Sequence, residues 1–317
     1  MFSSNHPFFH QISLLAAVLF CAVLQWFFKF NLSAQIIFFL TITLSIGVFH
    51  GLLDIILLKQ KNFNQPQFLI VYAFSAFASL LFFVQYSGAA LVVLLLLSIW
   101  HFGESQRFDD AQSKNYTLKR FVLGANAIAA PFVLSNNQLQ QVLFTILPNP
   151  TWLQLTWTVW AAIAWIWLLA FAVYFLQYLM RKSAAKTDTY FYANLLETNL
   201  LEISVVWLSF ALLPPLMAFS LYFGAYHAVR HIRDVLATEQ VLKNKQLALF
   251  GTALVTAWML GLVLWLASTK MNVASFSMPV FLSVNLLQAT VILLVAITLP
   301  HAILISLWRK KYLHKSL

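Results

Sequence analysis

The stretch AALVVLLLLSIWHFGESQR, residues 89–107, is apolar from Ala89 to Trp100 save for Ser98, then passes through His101 and Glu104 to a basic end at Arg107. Such a run spans a bilayer as a helix, because about 20 predominantly apolar residues cross the roughly 30 Å hydrocarbon layer. Similar runs fill the chain at approximately Ile12–Phe28, Ser33–Leu58, Gln67–Tyr86, Tyr116–Leu134, Trp152–Met180, Tyr190–Leu213, Pro215–Leu236, Leu247–Ser268 and Pro279–Trp308. The expected fold is all-α: a polytopic transmembrane bundle of about ten helices, or eight to nine if Leu213, Pro214 and Pro215 merely kink one helix. Pro148 and Pro150 mark a longer loop.

Composition excludes a soluble domain. The 317 residues are 62% hydrophobic and 9% charged, where a soluble domain carries about 25% charged residues. A net charge of +10 could suggest a nucleic-acid partner, but the basic residues form short clusters between apolar runs instead of lining one face. No nucleic acid is expected. The lone Cys21 sits inside the first apolar run, which excludes disulfides and Cys-ligated zinc. That run has no Lys or Arg before Lys29 and no small-residue cleavage site, so it reads as a helix and not a secretion signal. With no repeat and no long hydrophilic linker, a single integral-membrane domain over residues 1–317 is expected.

Lys and Arg collect in cytoplasmic loops, which orients the spans. Lys59 and Lys61 follow the second run; Arg107, Lys114, Lys119 and Arg120 the fourth; Arg181, Lys182 and Lys186 the sixth. Arg230, Arg233, Lys243 and Lys245 close the eighth, and Arg309, Lys310, Lys311 and Lys315 the tenth. Only Lys29 and Lys270 of the 19 basic residues fall on the opposite side. Both termini are therefore expected in the cytoplasm, with the protein a multi-pass component of the cell (inner, or plasma) membrane.

Ionisable groups inside a membrane are expensive and mark function by default. Here they are His50 and Asp54 in GVFHGLLD, His101 and Glu104 in SIWHFGES, His227 and His231 in FGAYHAVRHIRD, and His301 in TLPHAIL. All lie near the basic ends of runs that share one direction. His50 precedes Lys59 by about nine residues and His301 precedes Arg309 by about eight, so both lie roughly 12 to 14 Å above the cytoplasmic end at 1.5 Å per residue. His227 and His231, four apart, project from nearly one helix face and can share a metal. Asp54 and Glu104 lie a turn below His50 and His101, where a carboxylate could accept a ligand's second ring N–H. Glu202, in the seventh run, reaches nearly the same depth and has either a supporting role or an interhelical hydrogen bond. An imidazole-rich, thiol-free group suits iron, zinc or copper.

Other chemistries compete for these residues. Paired histidines could hold haem in a membrane electron carrier, or serve as the relay of a proton-coupled transporter. The H-E-x-x-H of zinc intramembrane proteases is absent, and a single H-x-x-x-H pair is too sparse for a two-iron desaturase.

Four motifs in order, HGLLD at His50, WHFGE at His101, YFGAYHAVRH at Tyr222 to His231 and LPH at His301, resemble those of the bacterial β-carotene 15,15′-dioxygenases, the bacteriorhodopsin-related Brp/Blh membrane proteins. The likeness spans most of the chain. It implies that His50, His101, His227 and His231 bind Fe(2+), and that β-carotene is cleaved with O2 at its central double bond to two molecules of all-trans-retinal. It also implies indirect service to a retinal-binding rhodopsin. Ferrous iron held by neutral imidazoles would keep positions open for dioxygen, and a carotene dissolved in the bilayer would enter sideways. Asp54, Glu104, His301 and Glu202 are expected as supporting residues, His301 next to Pro300 being placed behind the ligands. Phe49, Trp100, Phe102, Phe223 and Tyr226 flank the ligands in sequence and are expected as substrate walls.

Overall fold

The computed structural model describes residues 9–47, 50–51, 54, 65–105, 116–147, 149–184, 190–238 and 278–313, and among these every regular element is helical. Helix α1 (Phe9–Phe28) turns sharply into α2 (Leu32–Ile42). Lys29 takes a left-handed conformation (φ 44°) and Asn31 caps α2, its side chain accepting from the Ala34 N–H at 3.0 Å. Then come α3 (Gln65–Gln85), α4 (Ser87–Ser105), α5 (Tyr116–Leu134), α6 (Asn136–Ile146), α7 (Pro150–Ala184), α8 (Tyr190–Leu212), α9 (Pro215–Ser220), α10 (Val229–Thr238) and α11 (Met278–Leu313).

The distribution of polarity is that of a protein dissolved in lipid. Trp26, Phe74, Trp165 and Leu169 stand exposed, whereas His50, His101, Asn126 and Glu202 are buried. Five segments, Phe9–Phe28, Ser87–Glu104, Tyr116–Leu134, Pro150–Met180 and Val284–Leu307, are long and apolar enough to cross a bilayer. Leu32–Gly47, Leu69–Gln85 and Asn199–Leu212 are shorter apolar helices. The molecule is thus the helical membrane bundle expected from its composition. The run Leu247–Ser268 lies outside the described residues.

Helix α5 forms the central post. Val122 through Pro131 are buried without interruption, so this segment is covered all round. Indole N–H groups moor its neighbours to it: Trp160 donates to the Ile128 carbonyl at 2.5 Å and Trp167 to the Val122 carbonyl at 2.7 Å, both from α7. From α8, Trp207 donates to Asn126 Oδ1 at 2.9 Å. These bonds satisfy buried donors where water is absent. Helices α4 and α5 nearly touch, since a Cβ on Gly124 would lie 2.1 Å from the Ile99 carbonyl oxygen. On the other side of α4, the long α11 packs against α2, α3 and α4.

Two local features depart from expectation. The stretch between Leu134 and Pro150 is largely helical, because α6 buries Leu139, Val142, Leu143 and Ile146 on one face. Gln288 of α11 donates to the Thr145 carbonyl near its end at 2.8 Å. The Leu213–Pro214 step separates α8 from α9, with Pro215 opening the new helix, so these are two helices and not one kinked helix.

Candidate metal centre

Two π-helical segments build the frame of the site. Helix α2 runs on as a π-helix over Thr43–Gly47, and α9 as a π-helix over Leu221–Ala228 before α10 begins. Such wide turns are rare and concentrate at functional sites. The two segments cross at glycines. A Cβ on Gly47 would come within 2.7 Å of the Phe223 ring, and one on Gly224 within 2.2 Å of Ile42 Cγ2. Only hydrogen at these positions lets His50, just beyond the first segment, meet His227 in the second.

Five imidazoles converge behind this crossing, all of them buried: His50, His101, His227, His231 and His301. One ring nitrogen each from His50, His101 and His227 lie within 4.8 Å of one another. The Nε2 atoms of His101 and His227 are 3.2 Å apart. His50 has its ring centroid 5.7 Å from both His227 and His231. His301 lies 4.9 Å from His50, 4.8 Å from His101 and 5.6 Å from His231 by the same measure. The spacing of His227 and His231 does place both beside His50, and the packing of α4 and α11 delivers His101 and His301.

The carboxylates take different roles. Asp54 accepts from His301 Nδ1, its two oxygens at 2.9 and 2.8 Å, and from the Tyr72 hydroxyl at 3.2 Å. His50 instead turns its Nδ1 to the Gly47 carbonyl. Glu104 is engaged by Arg120 and by the Ser306 hydroxyl, each at 3.1 Å, tying α4 to α5 and α11. Glu202 accepts from the Tyr226 hydroxyl at 2.6 Å, with Arg230 Nη1 at 3.9 Å. It therefore supports the segment that carries His227.

Among the expected wall residues, Phe102 and Phe223 stand against the imidazoles: Phe102 is 4.7 Å from His227, and Phe223 is 5.4 Å from His50, ring to ring. Tyr226 stacks on Tyr222, whose ring meets Phe102 edge-on at 5.3 Å. Trp100 lies with the Arg120 guanidinium 6.0 Å from its ring centroid. Phe49 lies outside the described residues. Sequence reasoning passed over Tyr72 and Tyr222, although a phenol within an apolar helix needs a partner and could have been flagged on that ground.

The donor set fits a divalent transition metal. It consists of imidazole nitrogens without thiolate, in a buried interior, a combination suited to iron, zinc or copper. His301 adds a specific sign, for its Nε2 is buried and has no hydrogen-bond partner among the described residues.

Comparison with known proteins adds a family. Residues 41–309, which include every histidine of the cluster, match the family model described as Beta-carotene 15,15'-dioxygenase. A curated relative, the Beta-carotene 15,15'-dioxygenase of uncultured marine bacterium 66A03, is 26% identical over 277 residues, covering 84% of this chain and 91% of that protein. No solved structure matches. Extending over most of the bundle and all of its buried imidazoles, the family match shows that this chain belongs to the β-carotene 15,15′-dioxygenase family.

Proposed function

We propose that the protein is an iron-dependent carotenoid oxygenase of the cell membrane that cleaves β-carotene at its 15,15′ double bond, giving two molecules of all-trans-retinal. The observation that carries this reading is the convergence of buried imidazoles from separate helical segments in a chain of this family. His50, His101, His227 and His231 would hold Fe(2+), which when bound supplies the redox chemistry that lets O2 react with a polyene. The overall conversion balances with one O2: the double bond is broken and each carbon gains one oxygen as an aldehyde, so no external reductant is needed.

The protein's own residues hold and enclose the reacting groups. Hydrogen bonds behind the ligands fix ring orientation, as the Gly47 carbonyl does for His50. Phe102 and Phe223 offer apolar faces to a hydrocarbon substrate while keeping water from the centre. A carotene dissolved among lipid tails would approach through the side of the bundle. The product would serve a retinal-binding rhodopsin, and a single domain spanning the chain with both termini in the cytoplasm suits the distribution of basic residues.

An electron carrier is disfavoured by the packing. His50, His101, His227 and His301 pack edge to face with centroid separations of 4.8 to 5.7 Å, which leaves no slot for a flat porphyrin between them. The direct test is purified protein with ferrous iron, O2 and β-carotene, analysed for products by chromatography. Retinal as the main product supports central cleavage; shorter apocarotenals without retinal refute it.

A further inference from the structure

We infer that His301 is a fifth imidazole facing the metal, and that Asp54 and Tyr72 are positioning residues that hold it there. The inference rests on the metal-site reading above, but extends it to residues from three further places in the chain. His301 follows Pro300 in α11, Asp54 lies four residues beyond His50, and Tyr72 sits in α3.

The hydrogen bonds decide which nitrogen faces the centre. A carboxylate can only accept, so the two contacts from Asp54 place the His301 proton on Nδ1. In the neutral ring this leaves the lone pair on Nε2. That atom is buried, has no hydrogen-bond partner among the described residues, and belongs to a ring packed against His50, His101 and His231. A buried acceptor left unpaired is costly, and a cation shared with the neighbouring rings satisfies it. Carboxylate to histidine to metal is the arrangement by which proteins orient a ligand and raise its basicity.

Asp54 must itself be held, since it is buried among apolar helices where a carboxylate is expensive. The Tyr72 hydroxyl donates to the oxygen Oδ2 at 3.2 Å, and Oδ1 and Oδ2 both face the His301 ring. Tyr72 is also on the helix that packs closely against α11, so one hydrogen bond fixes the register of His301 relative to α3. The positive charge of a bound cation on the far side of the imidazole offsets the charge of Asp54.

The test uses the full-length protein in detergent, stripped of metal and titrated with Co(II), whose visible absorption reports both affinity and the number and arrangement of its ligands. His301→Ala is expected to weaken cobalt binding and alter the bands, and added imidazole to restore both. Asp54→Asn, which keeps the shape of the side chain, is expected to weaken binding about 10- to 100-fold, with a smaller loss for Tyr72→Phe. His50→Ala is the reference for a lost ligand. Should His301→Ala keep wild-type affinity and bands while His50→Ala loses them, the fifth imidazole is refuted and the metal site stands. A loss in His301→Ala that imidazole does not repair and Asp54→Asn does not share would also refute it, by assigning His301 to packing. If the wild-type protein binds no cobalt, the metal reading itself fails.

Discussion

Gly224 of the second π-helical segment rests directly on Ile42 at the end of α2, so closely that a Cβ there would stand 2.2 Å from the isoleucine Cγ2. Gly224→Ala must therefore push the His227 segment away from the one that leads to His50. Overpacking of this kind costs about 1 to 3 kcal/mol. The effect on retinal formation should exceed the effect on folding, because ligands displaced by even an ångström lose their shared centre. Melting temperature in detergent and product yield, measured on the same preparation, check this. Equal activity at a lowered melting temperature would show that the crossing does not set the site.

Alanine at His50, His101, His227 or His231 should abolish retinal formation and remove most of the iron, read by metal analysis of purified, normally expressed protein. Chelation of the wild-type protein should lower its melting temperature, and ferrous iron should restore it, since a ligand bound only by the folded state stabilises that state. A variant at one of these four positions that retained full iron would remove that residue from the ligand set.

Glu202 supports the site without touching it. Glu202→Gln and Tyr226→Phe each break the 2.6 Å bond between these side chains, and the buried group left behind costs about 1 to 3 kcal/mol. Both variants should melt lower yet keep their iron. Iron loss in Glu202→Gln without a fall in melting temperature would mean that the carboxylate acts on the centre itself.

Reporter fusions after Lys61, Arg120, Lys186, Lys245 and Lys315 should all report the cytoplasm, given that the basic residues fall almost wholly on one side. One periplasmic signal among the internal sites would change the number of crossings.

How far the sequence could be read depends on the range of each interaction. Hydropathy is a local property, so the long apolar helices were legible, and so were the motifs around His50, His101, His227 and His301, conspicuous as ionisable groups in apolar runs. Helix α6 was not: NNQLQQ reads as a loop, and its apolar residues declare a face only once α5, α9 and α11 lie against it. Asp54 was expected to serve its neighbour His50, whereas it serves His301, 247 residues away. No spacing within one helix reveals such a partner. Tyr72 escaped for the same reason, and the π-helical turns because their residues are those of an ordinary membrane helix.

Those turns have a consequence for how the chain tolerates change. A π-turn amounts to one residue more than an α-helix would need, so deleting a single residue between Leu221 and Gly224 should let that helix rewind. Everything beyond the deletion would then swing by about 100° around the axis, the angle of one residue in an α-helix. His227 and His231 would leave the interior with every side chain still of its original kind. Along this segment, chain length and not chemical identity keeps the two imidazoles aimed at the centre, and an alignment gap here would be graver than most substitutions.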